Sequence, residues 1–154
     1  MAGRREPPAA GRKMNPPMAL QSVNPTDGSL LREYPETTPA EVATALAAAP
    51  PAFESWRRTT FAERAAVLGR AGALLRERRD ALGRIMALEM GKPLAQGQAE
   101  ADKCAWVCEH YAQHAEHLLA PEDAPTDASR SYVALEPLGP VLAVMPWNFP
   151  LWQV

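Results

Sequence analysis

Two thiols and three imidazoles fall on one stretch of this chain: Cys104, Cys108, His110, His114 and His117. Such residues can hold a divalent metal, and a cysteine beside a base or cation can act as a nucleophile. Their spacing argues against both. On a helix turning about 100° per residue, Cys104 and Cys108 fall with Val107, Tyr111, Ala115 and Leu118 on an apolar face. The histidines fall on the opposite, polar face with Lys103 and Gln113. Ligands split across two faces cannot converge on one ion, and a mid-helix apolar face gives a thiol no activating neighbour. The expectation is core thiols, solvated histidines and no metal site.

Other candidates thin out in the same way. There is no Gly-x-Gly-x-x-Gly, and Gly69 and Gly72 sit inside a helical pattern. Glu89-Met90-Gly91-Lys92-Pro93 contains a Gly-Lys pair, but no glycines precede it and proline follows. It reads as a helix stop and restart. Pro146-Trp147-Asn148-Phe149-Pro150 is different. A strand end capped by a turn accounts for its aromatics but leaves Asn148 unexplained. An amide at the carboxyl end of the first strand of an α/β sheet lies where such folds bind ligands. A neutral N–H donor there can face a developing oxyanion without neutralising a neighbouring thiolate.

The elements that must position this segment follow from local signals. Asn24-Pro25 and Asp27-Gly28 between apolar positions predict a turn joining two short strands around residues 22–30. Thr38-Pro39-Ala40-Glu41 and Thr60-Phe61-Ala62-Glu63 are capping boxes. The first opens a helix over 39–49, which Pro50-Pro51 should break or kink. The second opens a helix to about Arg79 with Ala65, Leu68, Gly72 and Leu75 inward and its arginines outward. A third helix, 80–90, is stopped by Gly91, and a fourth runs from about Leu94 to Leu118. After a polar linker at 121–129 the pattern turns to strand, with Val141–Val144 as the apolar strand leading into the proline-bracketed turn, and Pro150 able to start another helix. A hairpin, then helices, then strands fits an α/β fold.

These segments together resemble the N-terminal portion of the aldehyde dehydrogenase family. The resemblance rests on Asn24-Pro25-Thr26-Asp27-Gly28, Phe53 and Trp56, Glu63-Arg64, Glu89 to Pro93, and Met145 through Val154. The closing Met-Pro-Trp-Asn-Phe-Pro-Leu-Trp-Gln-Val is most similar to the succinate-semialdehyde dehydrogenase branch. The resemblance implies an α/β fold whose β-hairpin and helices lead into a Rossmann-like sheet, and an enzyme that oxidises an aldehyde to the acid with NAD or NADP. It also implies that Met145, Pro146, Trp147 and Asn148 wall the nicotinamide cofactor, that Asn148 donates its side-chain N–H to the substrate oxygen, and that Trp152 lies near the substrate tunnel. In the family a cysteine thiolate attacks the aldehyde and a glutamate-activated water releases the acid. Those two residues, the phosphate-binding turn and the oligomerisation strand follow the segment matching Val154. The chain therefore reads as a truncated, N-terminal piece, expected to be inactive alone, with a homo-oligomer expected of the full-length enzyme. The competing expectations are a non-enzymatic helical interaction module and a degraded paralogue.

Composition sets the outer bounds. With 47% hydrophobic and 22% charged residues over 154 positions, the chain can bury one ordinary core. A net charge of −2 gives no reason to expect nucleic acid or an anionic membrane as partner, and no apolar run is long enough to span a bilayer. A small aldehyde is the expected partner. Residues 1–20, with Arg4, Arg5, Arg12 and Lys13 among prolines and alanines, read as a disordered extension, with Met14 and Met18 as alternative starts. Residues 21–154 read as the N-terminal portion of the cofactor-binding domain. Two cysteines four apart on a helix and no secretory segment point to reduced thiols and a cytoplasmic protein.

Overall fold

The computed structural model describes residues 19–154, so residues 1–18 of the extension expected over 1–20 lie outside the described part, while Leu20 already belongs to the first strand. The described part opens with a hairpin of β1 (Leu20–Val23) and β2 (Leu30–Tyr34), antiparallel with Leu20 opposite Tyr34 and a register shift between Ser22 and Val23. Its turn uses the chemistry that the sequence announced. Asn24 Oδ1 accepts from the Thr26 N–H, Asp27 Oδ1 accepts from the Ser29 N–H, and Gly28 takes φ +74°. Four helices follow: α1 (Pro39–Trp56), α2 (Phe61–Glu77), α3 (Arg79–Met90) and α4 (Leu94–Leu118). Both capping boxes are closed, Thr38 with Glu41 and Thr60 with Glu63.

The double proline does not break α1, one of the two outcomes expected from the sequence, and the helix runs past residue 49 to Trp56. Pro50 and Pro51 lie inside a continuous helix. No residue of α1 is buried, so the carbonyls that lose their proline-blocked donors can turn to water instead of remaining unsatisfied.

The core sits where α4 crosses α2 and α3, and small residues set the spacing. Gly97 of α4 meets Gly83 of α3 so closely that a Cβ on Gly97 would stand 3.0 Å from the Gly83 Cα. On the other side a Cβ on Gly72 of α2 would stand 3.1 Å from the Ala105 carbonyl oxygen. Ala101, Cys104, Ala105 and Met86 fill the crossing and are the buried apolar residues among those described. Arg76 of α2 spans the rim with two hydrogen bonds to Glu109 of α4, at 2.9 and 2.8 Å. It points outward, as expected, and from that exposed position its guanidinium bridges α2 and α4.

Beyond α4 the strands are slight. β3 (Glu122–Asp123) pairs antiparallel with β4 (Tyr132–Val133). The expected strand at Val141–Val144 does not form: the segment has no ladder partner among the described residues, and Val141, Leu142 and Val144 are 81, 89 and 85% exposed. An apolar run becomes a strand only when a neighbour accepts its backbone hydrogen bonds. Nor does Pro150 start a helix. Residues 147–153 make turns, closed by Gln153 N–H to the Phe149 carbonyl at 3.3 Å.

Candidate active site

Gly91 ends α3 in the left-handed conformation, φ +70°, and Pro93 stands at the start of α4. The stop and restart are as expected; what lies between them is not. Lys92 turns inward and its side chain is 7% exposed, against 2% for Glu100 in the second turn of α4. The two form a buried ion pair through Lys92 Nζ and Glu100 Oε2. Each charge then reaches across to the Trp147–Trp152 segment. Lys92 Nζ donates to the Asn148 carbonyl oxygen at 3.1 Å and lies 4.0 Å from the Phe149 ring centroid. Glu100 Oε1 accepts the backbone N–H groups of Leu151 at 2.9 Å and Trp152 at 3.1 Å.

Burial pushes the Glu100 carboxyl up. The Lys92 ammonium, the two backbone donors and the Lys92 charge outweigh that, and its pKa sits below the ordinary carboxylate value. A buried carboxylate with a cation and two N–H donors is satisfied on both oxygens. The segment is held by an ion pair from the α3–α4 junction.

The predicted site residues divide around this anchor. Asn148 lies at its centre, with its carbonyl held and the residue itself exposed. Trp147 lines a hollow of about 550 Å³ with Pro25, Met86 and Glu89. Trp152 faces the other way: the Lys103 ammonium lies 3.6 Å from its ring centroid, and it lines a hollow of about 600 Å³ with Phe149, Lys92 and Glu100. Lys103, expected on the polar face with the histidines, thus packs on the turn. Met145 is exposed, and with Pro146 it lines neither hollow.

The thiols and imidazoles separate as expected. Cys104 is buried, and burial, with the nearby Glu100 charge, pushes its thiol pKa up. The His110 and His114 rings lie tilted with centroids 4.6 Å apart on the exposed side of α4. Among the described residues no group of three His, Cys, Asp or Glu side chains could hold a metal ion.

The family model for aldehyde dehydrogenases matches residues 13–154. The chain belongs to the aldehyde dehydrogenase family. A probable NADP(+) succinate-semialdehyde dehydrogenase of Synechocystis is 46% identical over 137 residues, covering 89% of this chain and 30% of that protein. The NADP(+) succinate-semialdehyde dehydrogenase of Mycobacterium avium is 45% identical, with 88% of this chain and 30% of that protein covered. Among solved structures, the succinic semialdehyde dehydrogenase of Streptococcus pyogenes with NADP+ superposes with a TM-score of 0.82 at 33% identity, over 86% of this chain and 30% of that one. The enzyme of Burkholderia pseudomallei gives 0.80 at 35%, over 88% and 28%. The chain thus spans about 30% of the length of the family members it matches. No helix among the described residues is long and apolar enough to cross a membrane.

Sequence reasoning passed over Lys92 and Glu100. One signal was there to be read: Glu100 falls at helical spacing between Gly97 and Cys104, an acid on the apolar face of α4. An acid in that place needs a buried partner.

Proposed function

We propose that residues 19–154 form the N-terminal part of an NADP-dependent aldehyde dehydrogenase acting on succinate semialdehyde, and that Asn148 is its oxyanion donor. The substrate and cofactor preference draws on the relatives at 45–46% identity. The residue role draws on one observation: Asn148 is exposed while its own carbonyl and the N–H groups of Leu151 and Trp152 after it are held by buried charges. A donor fixed before the reaction begins stabilises developing charge without reorganising at the moment it is needed.

In this mechanism the Asn148 amide donates its N–H to the aldehyde oxygen as that oxygen gains negative charge. Being neutral, it leaves an attacking thiolate unpaired. Neither Cys104 nor Cys108 supplies that thiolate, since Cys104 is buried with a raised pKa and both lie on the helix-facing side of α4. The exposed apolar surfaces of Met145 and Trp147 suit one side of a flat nicotinamide ring, with Pro146 between them. The described residues bring no phosphate-binding turn to the same place. When bound, the nicotinamide would accept the hydride lost from the substrate carbon. Residues 1–154 alone then bind little cofactor and turn over no aldehyde.

The test joins this chain to the remainder of the Synechocystis relative. NADP+ reduction on adding succinate semialdehyde, absent with the chain alone, is the expected result. A well-folded chimera that oxidises neither succinate semialdehyde nor other aliphatic aldehydes would refute the assignment. The exposed apolar run Leu138 to Val144 favours a second reading, an interaction module. A monodisperse, inactive 154-residue chain alongside an inactive chimera would point there.

A further inference from the structure

The function just proposed needs an oxyanion donor in a fixed place, and the structure assigns the task of fixing it to Lys92 and Glu100. We propose that this buried ion pair is a positioning device for Asn148, not only a structural tie between α3 and α4. The inference rests on the Asn148 role above, but its geometry stands by itself.

A structural ion pair would be complete once Lys92 met Glu100. Here each partner has a second duty, and both duties fall on one short segment. The ammonium takes the carbonyl of Asn148 itself. The carboxylate takes the N–H groups of Leu151 and Trp152, three and four residues further on. Phe149, between them, lies against the same ammonium. Three hydrogen bonds to charged groups therefore bracket the peptide units around Asn148-Phe149-Pro150. Beside them stand the Gln153 N–H bond to the Phe149 carbonyl and the Lys103 ammonium on the Trp152 ring, while the preceding residues 141–144 join no ladder among those described. With the Asn148 carbonyl fixed, the Cα–Cβ direction of its side chain is fixed within the freedom of one residue. A misplacement of about 1 Å in a catalytic group can cost about 100-fold in rate, so the pair acts on turnover through Asn148 while touching no reacting atom.

Amide hydrogen exchange on the chain itself tests the anchor without any activity. The Leu151 and Trp152 amides should exchange about 10- to 100-fold more slowly than those of Leu142 and Val144, as hydrogen bonds to a buried carboxylate imply. Equal exchange in the unsubstituted chain would overturn the proposal whether or not any variant folds. In Lys92→Met, protection at Leu151 and Trp152 should fall about tenfold or more while Ala101 and Ala105 in α4 keep theirs. Unchanged protection would also overturn it.

The second readout uses the chimera. Lys92→Met should lower kcat about 100-fold with the KM for NADP+ little changed, and Lys92→Arg, which keeps a charged donor, should recover part of the loss. A purely structural role would instead lower the amount of active protein, leaving kcat per titrated active site intact. That result would refute positioning even if the anchor is present in exchange. An unsubstituted chimera without activity would count against the proposed reaction and leave the exchange result to decide the anchor.

Discussion

Substituting Gly97 by alanine places one methyl group against backbone. Its Cβ would lie 3.0 Å from the Gly83 Cα, 3.2 Å from the Gly83 carbonyl oxygen and 3.4 Å from Met86 Cε. The Met86 methyl can move; the α3 backbone cannot move without opening the crossing. Overpacking of this kind costs about 1–3 kcal/mol, and better helix propensity offsets about 1 kcal/mol of it. The net is a loss of about 1 kcal/mol, or a Tm fall of about 2–4 °C at this chain length. Gly69→Ala is the internal control, because it lies in α2 with nothing within 4 Å of the added Cβ. It gains the propensity without the clash and should raise Tm by about 2–4 °C. Thermal unfolding followed by circular dichroism at 222 nm compares the two directly. If Gly97→Ala melts at or above Gly69→Ala, helix spacing is not set by the Gly83–Gly97 contact and the packing argument fails.

Replacing Pro50 and Pro51 together with alanine should deepen the helical signal of α1, since each proline costs helix about 3 kcal/mol relative to alanine. The main melting transition should stay in place, because α1 buries none of its residues; a matching rise in Tm would show that α1 is coupled to the core. Glu100 predicts an acid-sensitive component. Its folded-state pKa is lowered, so its contribution is present above the ordinary value near 4.3 and is lost as pH falls through the lower folded value. In stability–pH curves, Glu100→Gln should flatten that part of the slope, and identical slopes would contradict it. A thiol reagent at pH 8 should modify Cys108 well before Cys104, whose burial raises its pKa and blocks access. Equal rates by mass spectrometry would mean that the α2–α4 seam opens readily.

Local chemistry was legible in the sequence, and relations between distant residues were not. The capping boxes at Thr38 and Thr60, the Asx turns around Asn24 and Asp27, and the left-handed stop at Gly91 each depend on residues within a few positions of one another. All of them stand in the structure. The even split of α4 into a thiol face and an imidazole face was readable too, because it depends only on helical spacing. Pro50-Pro51 misled because its cost falls on carbonyls that α1 leaves near solvent. Val141–Val144 misled because strand propensity says nothing about whether a partner is present. The anchor at Asn148 was out of reach for a third reason. It joins Lys92 to a carbonyl 56 residues away, and no periodicity connects them. The motif pointed to Asn148; only the fold shows what holds it.

The central claim is that an anchored Asn148 serves as oxyanion donor, and the most direct measurement is steady-state kinetics of Asn148→Ala in the chimera with succinate semialdehyde and NADP+. Losing such a donor typically costs about 100- to 1,000-fold in kcat. The account predicts a fall of that size with the NADP+ dissociation constant unchanged. Turnover within about twofold of the unsubstituted chimera would contradict it.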